Sequence, residues 1–455
     1  MGRVQQALVV WVACNSGTPA PPAAEPQHAV TRAKAGAEPA APIETCPDLH
    51  FAAPTTLELT SGHDTAVPDV IDFGGHSLDP FFDKLARVAR RIPGETLRIG
   101  MYGDSNWTND RTTGEIRRRL QGLFGDSGHG WVAFGEPWGW YHHNNLQHGV
   151  TGKWTPWNLS TMENRDGLYG FAGIAAESTQ AGATVWAATA KTGDPVGTVV
   201  TTFELYYLAR PNGGSFEVLI DGRSHELVTT HAATTEMKFL RYPVSEGPHR
   251  LTVKVTSGRV RVFGVTLERD ATGVVVDGLG VSALNALNML RMNPAQLSAG
   301  LAHRGYDLVV ETTGTNMWSP RNHPIWMARI IALWRAALPS ASFLLWSPPD
   351  FVAKGRPTPT FSEPRMRSCT KEKRDIAEAN KIGFWNQYEA LGGWGSMPKW
   401  LKELWSEPDG VHLGPRMNRY VGERFVFAIA KELARRVEQN PKLGCPQSSP
   451  RRSID

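Results

Sequence analysis

Only four cysteines are spread over 455 residues, and no apolar run reaches eighteen. The first scarcity excludes a small disulfide-stapled scaffold and a cysteine-rich zinc module. The second excludes a membrane-spanning helix, which needs about 20 consecutive, predominantly apolar residues. Charge of one sign is also scarce: a net +4 over this length gives too little field to recruit nucleic acid or another polyanion. No glycine-rich phosphate loop occurs, and His142, His143 and His148 have no carboxylate or cysteine at ligand spacing, so neither a metal nor any other cofactor is expected. What is present, 41% hydrophobic and 20% charged residues, is globular composition in a chain long enough for two cores.

Residues 1–14 hold one basic residue, Arg3, a short apolar run and then Cys14. They are expected to be an export signal. Cys14 would be its lipidated residue if it is of the lipoprotein kind; Trp11 stands where an aliphatic residue is usual, so a plain signal peptide is the alternative. Residues 15–45 are rich in Ala and Pro, a composition that cannot bury enough apolar surface to offset ordering, and read as a tether. The protein is thus expected outside the cytoplasm, periplasmic or on the cell surface, with a lipid anchor as its one membrane contact. In an exported chain Cys46, Cys369 and Cys445 become disulfide candidates. Joining Cys46 to Cys445 would tie the ends of the folded region, but spacing leaves all three pairings open.

Two kinds of periodicity follow. Leu97 to Gly103 is an apolar strand, and Thr113 to Phe124 places Ile116, Leu120, Leu123 and Phe124 on one helical face. Gly273 to Ala283, Tyr306 to Glu311 and Ala341 to Leu345 are further apolar strands, with a helix over Ile325 to Leu338 and a last one carrying Tyr420, Val421, Phe425, Ala428 and Ile429. Such alternation implies an α/β fold with a parallel sheet covered on both faces, whose crevice lies beyond the carboxyl ends of the strands. Between them, Thr198–Ala209, Ser215–Asp221, Arg250–Val255 and Arg259–Leu267 are short strands separated by Gly, Pro and Asn turns, the pattern of an antiparallel β-sandwich. The expected layout is a first part of the α/β domain over 46–136, an inserted sandwich over 137–270, a second part of the α/β domain over 271–445 and a tail over 446–455.

Three loops at strand ends carry complementary chemistry. Gly103-Asp104-Ser105 ends the first strand, Gly314-Thr315-Asn316 follows another, and Asp409-Gly410-Val411-His412 precedes the last helix. A serine hydroxyl is a poor nucleophile at neutral pH and needs a base within hydrogen-bond reach, itself held by a third group. Ser105, His412 and Asp409 can fill these roles, and the imidazole must be neutral to accept the proton, so activity should fall as it protonates. Asp409 could instead only cap the helix or close a turn with Gly410. The Ser105 N–H and the Asn316 amide can donate to an oxyanion.

In order and context these segments resemble blocks I, III and V of the SGNH or GDSL hydrolase superfamily. The inserted sandwich sharpens the resemblance to bacterial peptidoglycan O-acetylesterases of that superfamily. It extends over most of residues 95–430 and also rests on Phe124 to Gly130, Phe203-Glu204-Leu205-Tyr206-Tyr207, Phe384-Trp385 and Gly392 to Met397. The resemblance implies a three-layer α/β/α hydrolase with a carbohydrate-binding-like insert, and a serine esterase acting on an O-acetylated polysaccharide. It also implies that Asp104 braces the turn and is not the triad acid. A further oxyanion donor would come from a block II glycine. Here Gly280-Val281-Ser282-Ala283 places Ala283 at that position; its N–H serves if φ is negative, a positive φ would distort the hole, and Gly280 is the fallback donor. Among the aromatics of residues 131–157, Trp138, Trp140 and Trp154 are candidate sugar-stacking rings, the alternative being that they fill a core. An O-acetyltransferase on the same fold, and a glycan-binding protein with a decayed site, are the competing readings.

Overall fold

The structure, a computed structural model, describes residues 46–60, 66–160, 166–317, 321–352 and 362–446; the expected signal with Cys14, the tether and the tail from 447 onward lie outside these. Among the described residues no helix is long and apolar enough to cross a membrane.

Six strands form one sheet in the order Ile71–Asp72, Gly383–Trp385, Ser342–Trp346, Leu308–Glu311, Thr96–Gly103, Gly273–Gly280. Every neighbouring pair is parallel except the first, where Ile71–Asp72 lies antiparallel to Gly383–Trp385. The all-parallel expectation therefore fails at one edge. A two-residue edge strand needs no crossover helix, so its direction is free of the rule that governs the others.

Alternate strand residues enter two cores. Leu97, Ile99 and Met101 pack with Phe81 and Leu85 of helix Asp79–Ala89, Ile116 and Leu120 of Arg111–Phe124, and Tyr420 and Phe425 of Pro415–Gln439. Tyr102, Val309, Phe343 and Leu345 pack with Leu297 and Leu301 of Pro294–Arg304, Ile331 and Trp334 of His323–Ala337, and Ile376 of Pro364–Ala379. Burial on both faces is why these strands read as unbroken apolar runs.

Residues 130–268 form two antiparallel sheets. One runs Arg223–Thr229, Ser215–Ile220, Arg250–Ser257, Thr184–Thr189, Leu146–Thr151; the other runs Glu236–Gly247, Val200–Ala209, Val260–Glu268, Ile174–Ser178, Thr155–Asn158. Val185, Phe216, Val218 and Val253 from the first and Phe203, Leu205, Val262 and Val265 from the second share one core. The strands without a clear sequence signature, such as Ile174–Ser178 and Thr184–Thr189, bury Ala175, Ala176, Ala187 and Ala188, residues too small to mark an apolar alternation. The boundary expected at 137 comes too late: Gly130–Ala133 already pairs with Val260–Glu268. The chain crosses over through Gly125, Gly128 and Gly130, all at positive φ, which only glycine adopts at little cost.

A buried charge network joins the two parts. The Arg304 guanidinium donates to Asp277 Oδ2 at 2.7 Å and also bonds Glu268; Arg98 reaches Glu268 at 2.7 Å, and the Tyr306 hydroxyl donates to Asp277 at 2.7 Å. Burial alone would raise the Glu268 carboxyl, but the Arg304 and Arg98 charges hold it down to about 2. Its stabilising contribution is therefore complete above the unfolded value near 4.3 and is lost as pH falls through the folded value. Glu268→Gln should lower stability at neutral pH by about 1–3 kcal/mol and flatten the decline between pH 4 and 2. Urea unfolding across that range checks it; an unchanged slope would contradict the account.

Of the three open pairings, the structure has Cys46 bonded to Cys445, with Cα atoms 5.1 Å apart, and Cys369 free and buried. Beside the bond Arg90 donates to the carbonyls of Pro441 and Leu443, at 2.7 and 2.9 Å, and to that of Pro47, so both ends of the folded region are held to one helix end.

Candidate active site

The strand Thr96–Gly103 ends in a single 3₁₀ turn, Ser105–Trp107, capped by Asp104, whose Oδ1 accepts the Asn106 N–H at 3.2 Å. Two glycines allow this turn to close. A Cβ on Gly103 would stand 2.2 Å from the Trp107 ring, and one on the neighbouring-strand residue Gly280 would stand 2.4 Å from the Trp107 carbonyl oxygen. Gly280, the fallback oxyanion donor, is therefore a packing glycine under the turn and not part of the cleft lining.

Ser105 Oγ lies 2.8 Å from His412 Nε2, and His412 Nδ1 lies 2.5 Å from Asp409 Oδ2. The other oxygen, Asp409 Oδ1, accepts the backbone N–H of Val411 at 2.9 Å and of His412 at 3.0 Å. Asp409 thus makes the turn contacts with one oxygen and the imidazole contact with the other. Burial acts against its charge, but these N–H groups and the His412 ring hold its carboxyl below the usual value, so it is ionised at neutral pH. The loop carrying both residues is fixed from two sides. Leu413 N–H donates to Asn106 Oδ1 at 2.9 Å, and Asn418 Nδ2 donates to the carbonyls of Leu413 and Gly414 at 2.6 and 2.8 Å.

Asn316 reaches the same cleft, and its Nδ2 is buried with no hydrogen-bond partner. A buried, unmatched donor beside a serine hydroxyl is costly at rest and suits a group that receives negative charge. Its loop is held by Asp104, whose Oδ2 accepts the Thr315 N–H at 3.3 Å. Asp104 is fully buried, and burial pushes its carboxyl upward. Behind the loop the Lys373 ammonium and Glu311 carboxylate pair at 2.7 Å with neither exposed; Lys373 also donates to the Thr313 carbonyl at 2.5 Å, and Glu311 accepts the Thr313 N–H at 2.9 Å. Ala283 lines the cleft with φ of +54°, a left-handed conformation that costs an alanine roughly 1–2 kcal/mol. The positive φ is the case expected to distort the hole, which corrects the expectation of Ala283 as a donor; its carbonyl is held by weak donations from Asn285 and Asn288 at 3.5 and 3.4 Å.

The three tryptophans separate. Trp140 stands at the cleft rim, 58% exposed, its Nε1 donating to Thr108 Oγ1 at 3.0 Å. Trp138 donates to the Thr108 carbonyl at 3.1 Å and packs against Tyr141, and Trp154 packs on the core between the antiparallel sheets. Neither lines the cleft, and both pack as the core-filling alternative has it; residue type alone could not distinguish the three. The cleft encloses about 820 Å³, with Arg111 and Glu407 paired across its wall at 3.0 Å.

Sequence reading missed a buried cluster directly after the nucleophile segment. Asp110, His129 and His143 place their ligand atoms within 4.8 Å of one another, the grouping of a metal set. Most of the set is already paired, the exception being His129 Nδ1, which is buried without a partner. Arg117 clasps Asp110 at 2.8 and 2.9 Å, the two histidines bond each other at 3.1 Å, and His143 Nε2 meets the Tyr141 hydroxyl at 2.9 Å. A divalent cation would add unbalanced charge beside a buried guanidinium. Burial lowers both imidazoles, His143 to about 3, so they remain neutral and hold the Trp138–Tyr141 loop against Asp110.

No protein-family model and no curated protein matches this chain. Among solved structures, a peptidoglycan O-acetylesterase is similar over 80% of this chain and 99% of its own, with TM-score 0.68 and 23% identity. A family two carbohydrate esterase from Clostridium thermocellum, solved with cellohexaose, is 12% identical over 62% of this chain and 99% of its own, with TM-score 0.26. Est24, a carbohydrate acetylesterase from Sinorhizobium meliloti, is 20% identical over 36% of this chain and 79% of its own, with TM-score 0.27. The chain shares the fold of the first of these.

Proposed function

We propose that this chain is an exported serine esterase that removes O-linked acetyl groups from a polysaccharide, peptidoglycan being the first-choice substrate. In this reading the parallel sheet with its helices is a three-layer α/β/α SGNH hydrolase, and residues 130–268 are its inserted sandwich. The observation that carries it is the unbroken hydrogen-bond relay Asp409–His412–Ser105 opening beside the unpartnered Asn316 amide.

His412 Nε2 takes the Ser105 hydroxyl proton as Oγ attacks the acetyl carbon. The oxyanion is received by the Ser105 N–H and Asn316 Nδ2. As the tetrahedral intermediate collapses, the ester C–O bond breaks and His412 returns the proton to the sugar oxygen. Water then attacks the acetyl-Ser105 ester, again giving a proton to His412, and acetate leaves with Ser105 restored. Support for a sugar substrate comes from the exposed indole of Trp140 at the rim, whose face suits the C–H face of a pyranose. Support for export comes from the Cys46–Cys445 bond, a linkage that persists in oxidising compartments.

The test is acetate release from O-acetylated peptidoglycan by the chain and by its Ser105→Ala variant. Release by the parent alone is expected. Equal release by both would overturn the nucleophile; cleavage of 4-nitrophenyl acetate but not of peptidoglycan would retain the esterase and overturn the substrate.

A further inference from the structure

Two indoles of one short loop converge on a single residue of the nucleophile turn. Trp140 Nε1 donates to the Thr108 hydroxyl at 3.0 Å, and Trp138 Nε1 donates to the Thr108 carbonyl at 3.1 Å. The Thr108 hydroxyl donates in turn to the Ser105 carbonyl at 2.9 Å. Chemistry fixes this order. An indole N–H can only donate and a carbonyl can only accept, so the hydroxyl uses a lone pair for one and its single proton for the other. Thr108 ends the 3₁₀ turn Ser105–Trp107 and is 3% exposed.

The peptide between Ser105 and Asn106 is thereby held at both of its polar ends. Its N–H goes to Asp104 Oδ1 at 3.2 Å, and its carbonyl takes the Thr108 hydroxyl. The loop that supplies the indoles is anchored as well. The Tyr141 hydroxyl accepts the Ala133 N–H at 2.9 Å, on strand Gly130–Ala133 of the antiparallel part. The Asn144 N–H and side-chain amide donate to Asp110 Oδ2 and to the Asp110 carbonyl, both at 3.1 Å.

The geometry points to Thr108 as a positioning residue, through which the loop from Trp138 to Asn144 sets the orientation of Ser105. The inference rests on the esterase reading above and adds a residue to its nucleophile. Thr108 touches no reacting atom. Without its hydroxyl the Ser105 carbonyl loses a partner and the peptide is free to rotate, carrying Oγ away from His412 Nε2, 2.8 Å distant. A misplacement of about 1 Å costs up to roughly a hundredfold in rate. Trp140 acts one bond further out: by donating to the Thr108 oxygen it leaves the hydroxyl proton turned toward Ser105. A phenyl ring at position 140 would keep an aromatic face at the rim but release that orientation.

The test compares the full chain with Thr108→Val, Thr108→Ser, Trp140→Phe and the double variant Thr108→Val, Trp140→Phe. Diisopropyl fluorophosphate, which phosphorylates an activated serine with loss of fluoride, titrates Ser105, and kcat is expressed per titrated site so that misfolded chain does not count. On 4-nitrophenyl acetate Thr108→Val should lower kcat about tenfold to a hundredfold with KM within about twofold of the parent. Thr108→Ser keeps the hydroxyl and should hold kcat within about threefold of the parent. Trp140→Phe should lower kcat about threefold by itself and add nothing in the Thr108→Val background, because the two residues act in series. Trp140 is exposed, so its variant reads the coupling without a fold defect. Unchanged kcat in Thr108→Val or in Trp140→Phe, a Thr108→Ser variant as slow as Thr108→Val, or losses that multiply in the double variant would each overturn the inference. The rates of Ser105 phosphorylation, followed by mass spectrometry, should rank the proteins in the same order. If the parent hydrolyses no acetate ester, the esterase reading fails while those rates still decide the role of Thr108, and equal rates in parent and variants would overturn it.

Discussion

Asp409→Asn should lower kcat on 4-nitrophenyl acetate by about 10⁴-fold, equivalent to about 5.5 kcal/mol of barrier, while the protein stays folded. The two oxygens of Asp409 do different work. Oδ1 closes the turn through the Val411 and His412 N–H groups, and Oδ2 meets His412 Nδ1. An asparagine keeps a carbonyl oxygen for the turn but presents an NH₂ to the ring. His412 Nδ1 must then accept, its proton moves to Nε2, and Nε2 points a donor at Ser105 instead of the lone pair that should take the hydroxyl proton. Circular dichroism and the urea midpoint should match the parent, since the turn is preserved. Asp409→Ala, which also removes the turn acceptor, should lose stability as well as rate. A loss of less than tenfold for the asparagine variant would mean that His412 is oriented by something other than Asp409.

The Asp409–His412–Ser105 relay was legible because each part has a local signature. Ser105 lies at the end of an apolar strand, and Asp409 and His412 are three residues apart in one turn, so a single loop presents both. The groups that hold these parts together were not legible. Asp104 reaches Thr315, and Asn106 reaches Leu413, across 211 and 307 residues, and no periodicity links such distant polar side chains. The strands of the parallel sheet were readable since both of their faces are buried and their runs are unbroken; the antiparallel strands lined with Ala175, Ala176 and Ala187 were not, since alanine leaves little contrast between inside and outside. Gly280 carries the same lesson. In sequence it reads as a fallback oxyanion donor, whereas its use is to admit the Trp107 carbonyl.

The buried pair behind the Asn316 loop should give the largest stability effect. Lys373→Met is expected to cost about 3–5 kcal/mol, because it leaves the Glu311 charge buried without its cation. Both side chains are fully buried, Lys373 on helix Pro364–Ala379 and Glu311 at the end of strand Leu308–Glu311. The double variant Lys373→Met, Glu311→Leu removes both charges together and should recover most of that loss, since well-packed apolar residues often replace a buried ion pair at little cost. Rate should not recover with it. Glu311 accepts from the Thr313 N–H and hydroxyl, and Lys373 donates to the Thr313 carbonyl; without them the loop that carries Asn316 loses the bonds that fix it. The double variant is therefore expected to unfold near the parent's urea midpoint but to have kcat reduced by about tenfold to a hundredfold, within what a misplaced oxyanion donor costs. Full recovery of both stability and rate would show that the pair serves only the core. A double variant less stable than Lys373→Met alone would show that the ion pair itself, and not the stranded charge, sets the stability of this region.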